Sequence, residues 1–142
     1  MVVDDEAGDM QLIRLALSEA PFPCQVTAAI NGREALDLLR APNPSRQPFQ
    51  PDLMFLDLNM PQMNGKEVLQ EMKADPRLAT IPVVVLTTSM AERDVLASYA
   101  LGASGYITKP MDLDQFFKAI RGVQEYWFGT VRRPRVNRFA EG

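Results

Sequence analysis

Histidine is absent from this chain of 142 residues, and cysteine occurs once, as Cys24. Without imidazole there is no Ser/His/Asp or Cys/His arrangement and no histidine acid–base catalyst. A solitary thiol forms no internal disulfide, and with no histidine beside it a zinc site is excluded. Cys24 is left as a small core or near-surface residue, or as a reactive thiol. Long apolar runs are missing too. None approaches the roughly 18 to 20 residues that a membrane span needs, and the N-terminus lacks a basic-then-apolar signal pattern. A cytoplasmic protein without membrane association is therefore expected. Basic charge is scarce in the body: residues 1–131 hold 11 basic and 17 acidic side chains, whereas 132–142 hold four arginines against Glu141. What is present, 46% apolar and 23% charged residues, suits one soluble domain able to bury a core without staples.

The patterning is regular. Met1-Val2-Val3 runs as a short strand into Asp4-Asp5-Glu6, and so late a start is expected to leave that strand weak, since core strands usually have about five or six residues. Residues 9–19 repeat Ile13, Ala16, Leu17 and Ala20 at helical spacing up to Pro21. Residues 25–30 read as a less apolar, edge strand. Asn31 and Glu34 form a capping-box pattern that opens a helix to Arg40. Four prolines in 41–51 exclude regular structure and mark a loop long enough to be a contact surface. Leu53-Met54-Phe55-Leu56 predicts a buried strand that ends at Asp57. A helix carrying Val68, Leu69 and Met72 ends near Asp75-Pro76. Val83–Thr87 is a second buried strand, 91–101 a helix closed by Gly102, and Gly105–Thr108 a brief strand. Asp112 and Gln115 start a last helix with the stripe Leu113, Phe116, Phe117, Ile120, Val123 and Trp127. Five strand–helix alternations imply an α/β fold, a parallel sheet covered on both faces.

A lone aspartate after a strand is ordinarily a helix cap. Asp57 has company. Asp4 and Asp5 follow the first strand, Thr87 ends the fourth and Lys109 follows the fifth, and parallel strands all finish on one edge, where ligands of open α/β sheets bind. Three neighbouring carboxylates repel unless a cation joins them. Oxygen-only ligands suit Mg²⁺, and with Lys109 and the Thr87 hydroxyl the set suits phosphoryl transfer.

Val3-Asp4-Asp5-Glu6, Leu56-Asp57-Leu58-Asn59-Met60-Pro61 with Gly65, Val85-Leu86-Thr87-Thr88 and Gly105–Pro110 resemble the motifs of response-regulator receiver domains, in order and over residues 1–127. The resemblance implies a flavodoxin-like, doubly wound five-stranded sheet of order 2-1-3-4-5 with five helices. It implies that Asp57 accepts the phosphoryl group, that Asp5 is the main metal carboxylate with Asp4 acting largely through water, and that the Asn59 carbonyl completes the Mg²⁺ site. Thr87 and Tyr106 match the switch pair, whose hydroxyl moves to the phosphoryl group while the ring swings inward. The resemblance also implies that Lys109 contacts phosphoryl oxygens and that the Lys109–Pro110 bond is cis. The segment from Ala119 to Val131, with the proline-rich loop, resembles single-domain regulators that partner bacterial phytochrome histidine kinases.

The expected function is that of a phosphorylation-controlled interaction module fed by a sensor histidine kinase. Two alternatives are a phosphate shuttle or sink, and a phosphatase; the latter usually has a second aspartate where Asn59 stands. Tyr126-Trp127-Phe128 is either the end of a core helix or a patch buried in a homodimer formed through the last strand and its flanking helices. Residues 128–142 are expected to be an extension, a dimer arm or a flexible tail. Its arginines lie on an acidic body without a reading helix and do not point to nucleic acid.

Overall fold

The computed structural model describes residues 1–19, 22, 24–41, 49–109 and 112–130. Five strands, β1 (Val2–Val3), β2 (Ala28–Ala29), β3 (Met54–Leu56), β4 (Val83–Thr87) and β5 (Gly105–Thr108), alternate with α1 (Ala7–Ser18), α2 (Gly32–Arg40), α3 (Gly65–Ala74), α4 (Glu92–Ala100) and α5 (Leu113–Glu125). All strand pairs are parallel. Their order, β2-β1-β3-β4-β5, places the acid-bearing β1 and β3 side by side at the centre. Among the described residues, no helix is long and apolar enough to cross a membrane.

The two-residue period of a strand sorts the core into layers. Val3, Met54, Leu56, Val83 and Val85 pack with Leu36 and Leu39 of α2 and Val68, Leu69 and Met72 of α3. Their neighbours Val2, Phe55, Val84 and Leu86 turn the other way, onto Met10, Ile13 and Leu17 of α1 and Phe116 and Ile120 of α5. Each fully buried aliphatic or aromatic side chain contributes about 1.5–3 kcal/mol, so both layers are needed.

Two expectations are corrected, and an alternative left open is resolved residue by residue. β2 occupies Ala28–Ala29 rather than 25–30, because its one partner, β1, offers only Val2 and Val3 for pairing; Ile30 is exposed. Leu113 is 51% exposed, outside the buried line Phe116, Ile120 and Gln124. A helical side chain lies over the turn N-terminal to its own Cα, and Leu113, the first residue of α5, has no such turn beneath it. The aromatic run is divided: Trp127 and Phe128 pack against the α1/α5 layer, whereas Tyr126 is exposed. These residues belong to a π-helical turn, Tyr126–Thr130, that continues α5.

Of the capping box expected at Asn31 and Glu34, one half is present. Asn31 accepts from the Glu34 amide at 2.8 Å, and Asp112 accepts from the Asp114 and Gln115 amides. A reciprocal capping box joins Asn64 and Glu67 at the start of α3. Gly102 closes α4 at φ +98°, a conformation suited to glycine.

Candidate functional site

Three backbone hydrogen bonds carry the sheet one residue beyond its strands. The amide of Asp4 donates to the Ala29 carbonyl at 3.0 Å, that of Asp57 to Val3 at 3.0 Å, and that of Lys109 to Thr87 at 2.7 Å. The three side chains are thereby brought to one edge although they come from distant parts of the chain.

Lys109 is the centre of the cluster. Its side chain is 7% exposed, and Nζ donates to Asp4 Oδ2 and Asp9 Oδ2, each at 2.8 Å, and to Asp57 Oδ2 at 3.4 Å. An ammonium has three N–H donors, so three carboxylates match its capacity. Burial pulls the Lys109 pKa down, but the hydrogen bonds and charges of its acidic partners outweigh burial and hold it above the ordinary lysine value. At Asp4 burial pushes the pKa up and the bond from Lys109 only partly offsets it, leaving the carboxyl above its usual range. The second oxygen of each buried acid is fixed locally. Asp4 Oδ1 accepts from the Glu6 amide at 2.9 Å and Asp57 Oδ1 from the Asn59 amide at 3.2 Å.

Carboxylate oxygens of Asp4, Asp5 and Asp57 lie within 4.8 Å of one another, Asp5 exposed and the others buried. This donor set is all oxygen, and one positive lysine faces several acids, so the residues fit a hard divalent cation. The loop after Asp57 is tightly seated. A Cβ on Gly65 would lie 2.3 Å from the Asp57 carbonyl oxygen, and one on Gly32 2.4 Å from that of Met63. Gln62 and Met63 turn the chain with φ of 51° and 88°, conformations that non-glycine residues adopt at a cost of about 1–3 kcal/mol.

Thr87 is fully buried, and its Oγ1 accepts from the Ser89 amide at 3.4 Å. Tyr106 is half-buried against the α2/α3 layer, and its hydroxyl donates to the Ser89 carbonyl at 2.9 Å. The two expected switch residues thus meet through Ser89.

The response regulator receiver domain family matches residues 1–121. The chain is a response regulator receiver domain. It is 37% identical to Response regulator Rcp1 of Synechocystis sp. over 134 residues, which cover 94% of this chain and 91% of Rcp1. The structure of the phosphorylated cyanobacterial phytochrome response regulator RcpA is 42% identical, with a TM-score of 0.87 over 94% of this chain and 96% of RcpA. The Mn²⁺-bound form of Rcp1 gives a TM-score of 0.86 at 37% identity, covering 94% and 96% of the two chains. The bacteriophytochrome response regulator AtBRR gives 0.70 at 36% identity, covering 96% and 94%.

The receiver brings Asp4, Asp5, Asp57 and Lys109 together as expected from the sequence. Asn59 is exposed beside them. Pro110 lies outside the described residues, and with it the expected cis bond; so does the arginine-rich segment 131–142. Sequence reading missed Asp9, an acid in the first turn of α1, the helix that begins just after Asp5. A carboxylate so placed on the helix leaving an acidic strand end was the available signal. It also missed Ser89, Lys66 and Asp94 as a bonded group, since nothing in their spacing announces it.

Proposed function

We propose that Asp57 accepts a phosphoryl group from the phosphohistidine of a sensor kinase and that the modified receiver changes its binding to other proteins. An Asp57 oxygen forms the new P–O bond as the P–N bond of the donor breaks, and the imidazole leaves with the bonding pair and takes a proton. The single observation that carries this reading is Lys109 Nζ, held among Asp4, Asp9 and Asp57 as a buried cation at the site where phosphoryl charge would develop. Asp4, Asp5, Asp57 and the Asn59 carbonyl are the groups we assign to Mg²⁺, which when bound screens carboxylate and phosphoryl charge. Thr87 and Tyr106 are the switch pair. Asn59, in place of a second acid, favours a switch without turnover of external substrates beyond self-phosphorylation and self-dephosphorylation.

Similarity to RcpA, Rcp1 and AtBRR supports a phytochrome-type histidine kinase as the donor, in the cytoplasm. Exposed Leu96 and Tyr99 on α4, Leu113 on α5 and Tyr126 support a homodimer through β5 and its flanking helices, which sedimentation of the unmodified and phosphorylated protein would test. The decisive experiment on the site is labelling by acetyl phosphate or kinase. Asp57→Asn should abolish it, chelation should suppress it, and Asp5→Ala should remove both weak Mg²⁺ binding and labelling. Wild-type labelling in Asp57→Asn would mean that the acceptor is another residue.

A further inference from the structure

Helix α4 has little apolar anchorage. Its one fully buried residue is Ser98, while Leu96 and Tyr99 face outward, and its N-cap, Ala91, makes no side-chain cap bond. An element with so few buried contacts belongs to the easily displaced part of a fold, and polar links then decide where it rests.

Those links come from α3. At the C-terminal end of α4, Lys73 Nζ donates to the Ala100 carbonyl at 2.8 Å. At the N-terminal end, Lys66 pairs with Asp94 Oδ1. The other oxygen, Asp94 Oδ2, accepts from the Ser89 hydroxyl at 2.5 Å, and the Asp94 carbonyl accepts from the Ser98 hydroxyl at 2.7 Å. The Asp94 side chain is 16% and that of Lys66 39% exposed, so the pair is partly screened by water. Ser89 is thus fixed through its hydroxyl by Asp94, while its amide donates to Thr87 and its carbonyl receives the Tyr106 hydroxyl. The Ala91 amide, at 3.4 Å from Ser89 Oγ, adds a weak cap to α4.

We propose that Lys66 and Asp94 are positioning residues for the Thr87/Tyr106 switch: acting through Ser89, they hold the carbonyl that keeps the Tyr106 ring inward. Neither touches the carboxylate cluster through any bond described above. Their influence runs through one residue, Ser89, which contacts both members of the pair. Charge-assisted hydrogen bonds are stronger than neutral ones, and with α4 otherwise loosely held this link sets how often the ring visits solvent. The inference rests on Thr87 and Tyr106 being the switch, and its test separates the two ideas.

The test uses Tyr99→Phe with Tyr126→Phe, so that fluorotyrosine labels Tyr106 alone, and reads ring exposure from fluorine NMR with a soluble paramagnetic agent. In the unmodified protein, Asp94→Ala and Lys66→Met should each raise the outward-to-inward ratio by about fivefold, as loss of one partly exposed charged link implies. Asp94→Glu should restore most of the inward population, and Lys73→Met, whose bond at the far end of α4 does not reach Ser89, should change it far less. Circular dichroism checks that each variant is folded. An unchanged Tyr106 signal in folded Asp94→Ala and Lys66→Met would overturn the proposal, as would an equal effect from Lys73→Met. Adding beryllofluoride to the otherwise wild-type labelled protein tests the switch itself: no response of Tyr106 there defeats the switch reading, whereas the unmodified variants judge the positioning role separately.

Discussion

Asp9 Oδ2 lies as close to Lys109 Nζ as Asp4 Oδ2 does, 2.8 Å in each case, although Asp9 belongs to a helix and Asp4 follows a strand. The two acids differ in burial, 31% against 3% side-chain exposure, and so in what their loss should do. Asp9→Asn keeps the shape and leaves Lys109 with two carboxylates; a partly solvated partner is worth about 1 kcal/mol, which urea unfolding can measure.

Lys109→Met should behave differently. It leaves Asp4 and Asp57 buried without their cation, and breaking such a group costs about 3–5 kcal/mol. Added Mg²⁺ should then raise the melting temperature of Lys109→Met more than that of the wild type, because binding to the native state alone stabilises by mass action. Equal shifts in the two proteins would remove Lys109 from the acidic cluster's charge balance.

Gly65→Ala should damage the loop that carries the acceptor. The new Cβ would meet the Asp57 carbonyl at 2.3 Å and Leu58 Cα at 2.8 Å, both backbone atoms that cannot rotate aside. Overpacking of this kind costs about 1–3 kcal/mol. Labelling at Asp57 should slow with it, which a time course with acetyl phosphate would show.

The pH dependence of stability should report on Asp94. The Lys66 ammonium, followed by the Ser89 hydroxyl, holds its carboxyl below the ordinary aspartate value of 3.8. The native state therefore binds this proton less readily than the unfolded chain. Its stabilising contribution is complete above 3.8 and is lost as pH falls through the lower native value. The urea midpoints of wild type and Asp94→Asn should keep a constant separation from neutral pH to about pH 5 and converge in stronger acid; parallel curves throughout would contradict the Lys66 pairing.

Leu113 and Ile120 sit on the same helix with opposite expectations. Ile120 is fully buried and Leu113 half exposed. Ile120→Ala should destabilise by about 2–5 kcal/mol and Leu113→Ala by less than about 0.5 kcal/mol, measured by denaturant unfolding.

Local chemistry made much of the fold legible. β4 falls on Val83–Thr87 as read, because a run of β-branched residues after a proline has few alternatives, and Asp112 caps α5 through a hydrogen bond set within three residues. The strand-end groups were legible because a parallel sheet converts strand order into proximity. What was not legible depends on tertiary pairing. β2 is shortened by the length of its neighbour, and Trp127 is placed by a layer drawn from both ends of the chain. Asp9 meets Lys109 across 100 positions, and Lys66 meets Asp94 across 28; neither interval carries a periodic signal. The same is true of Gln124, a buried amide on an apolar face, whose Nε2 donates to the Phe22 carbonyl at 2.9 Å and to Cys24 Sγ at 3.0 Å.

The layer formed by α1 and α5 has a bearing on biosynthesis. Its helices come from opposite ends of the described chain, and Phe116, Ile120, Trp127 and Phe128 cover a sheet face made of Val2, Phe55, Val84 and Leu86. During translation most of the α2/α3 layer can close once β4 has emerged, lacking only Leu101, Ala103 and Tyr106, whereas this face has only α1 over it until residues 113–128 leave the ribosome. A nascent chain paused before α5 therefore presents a half-covered apolar sheet to its surroundings, the kind of surface that chaperones hold and that other chains can join.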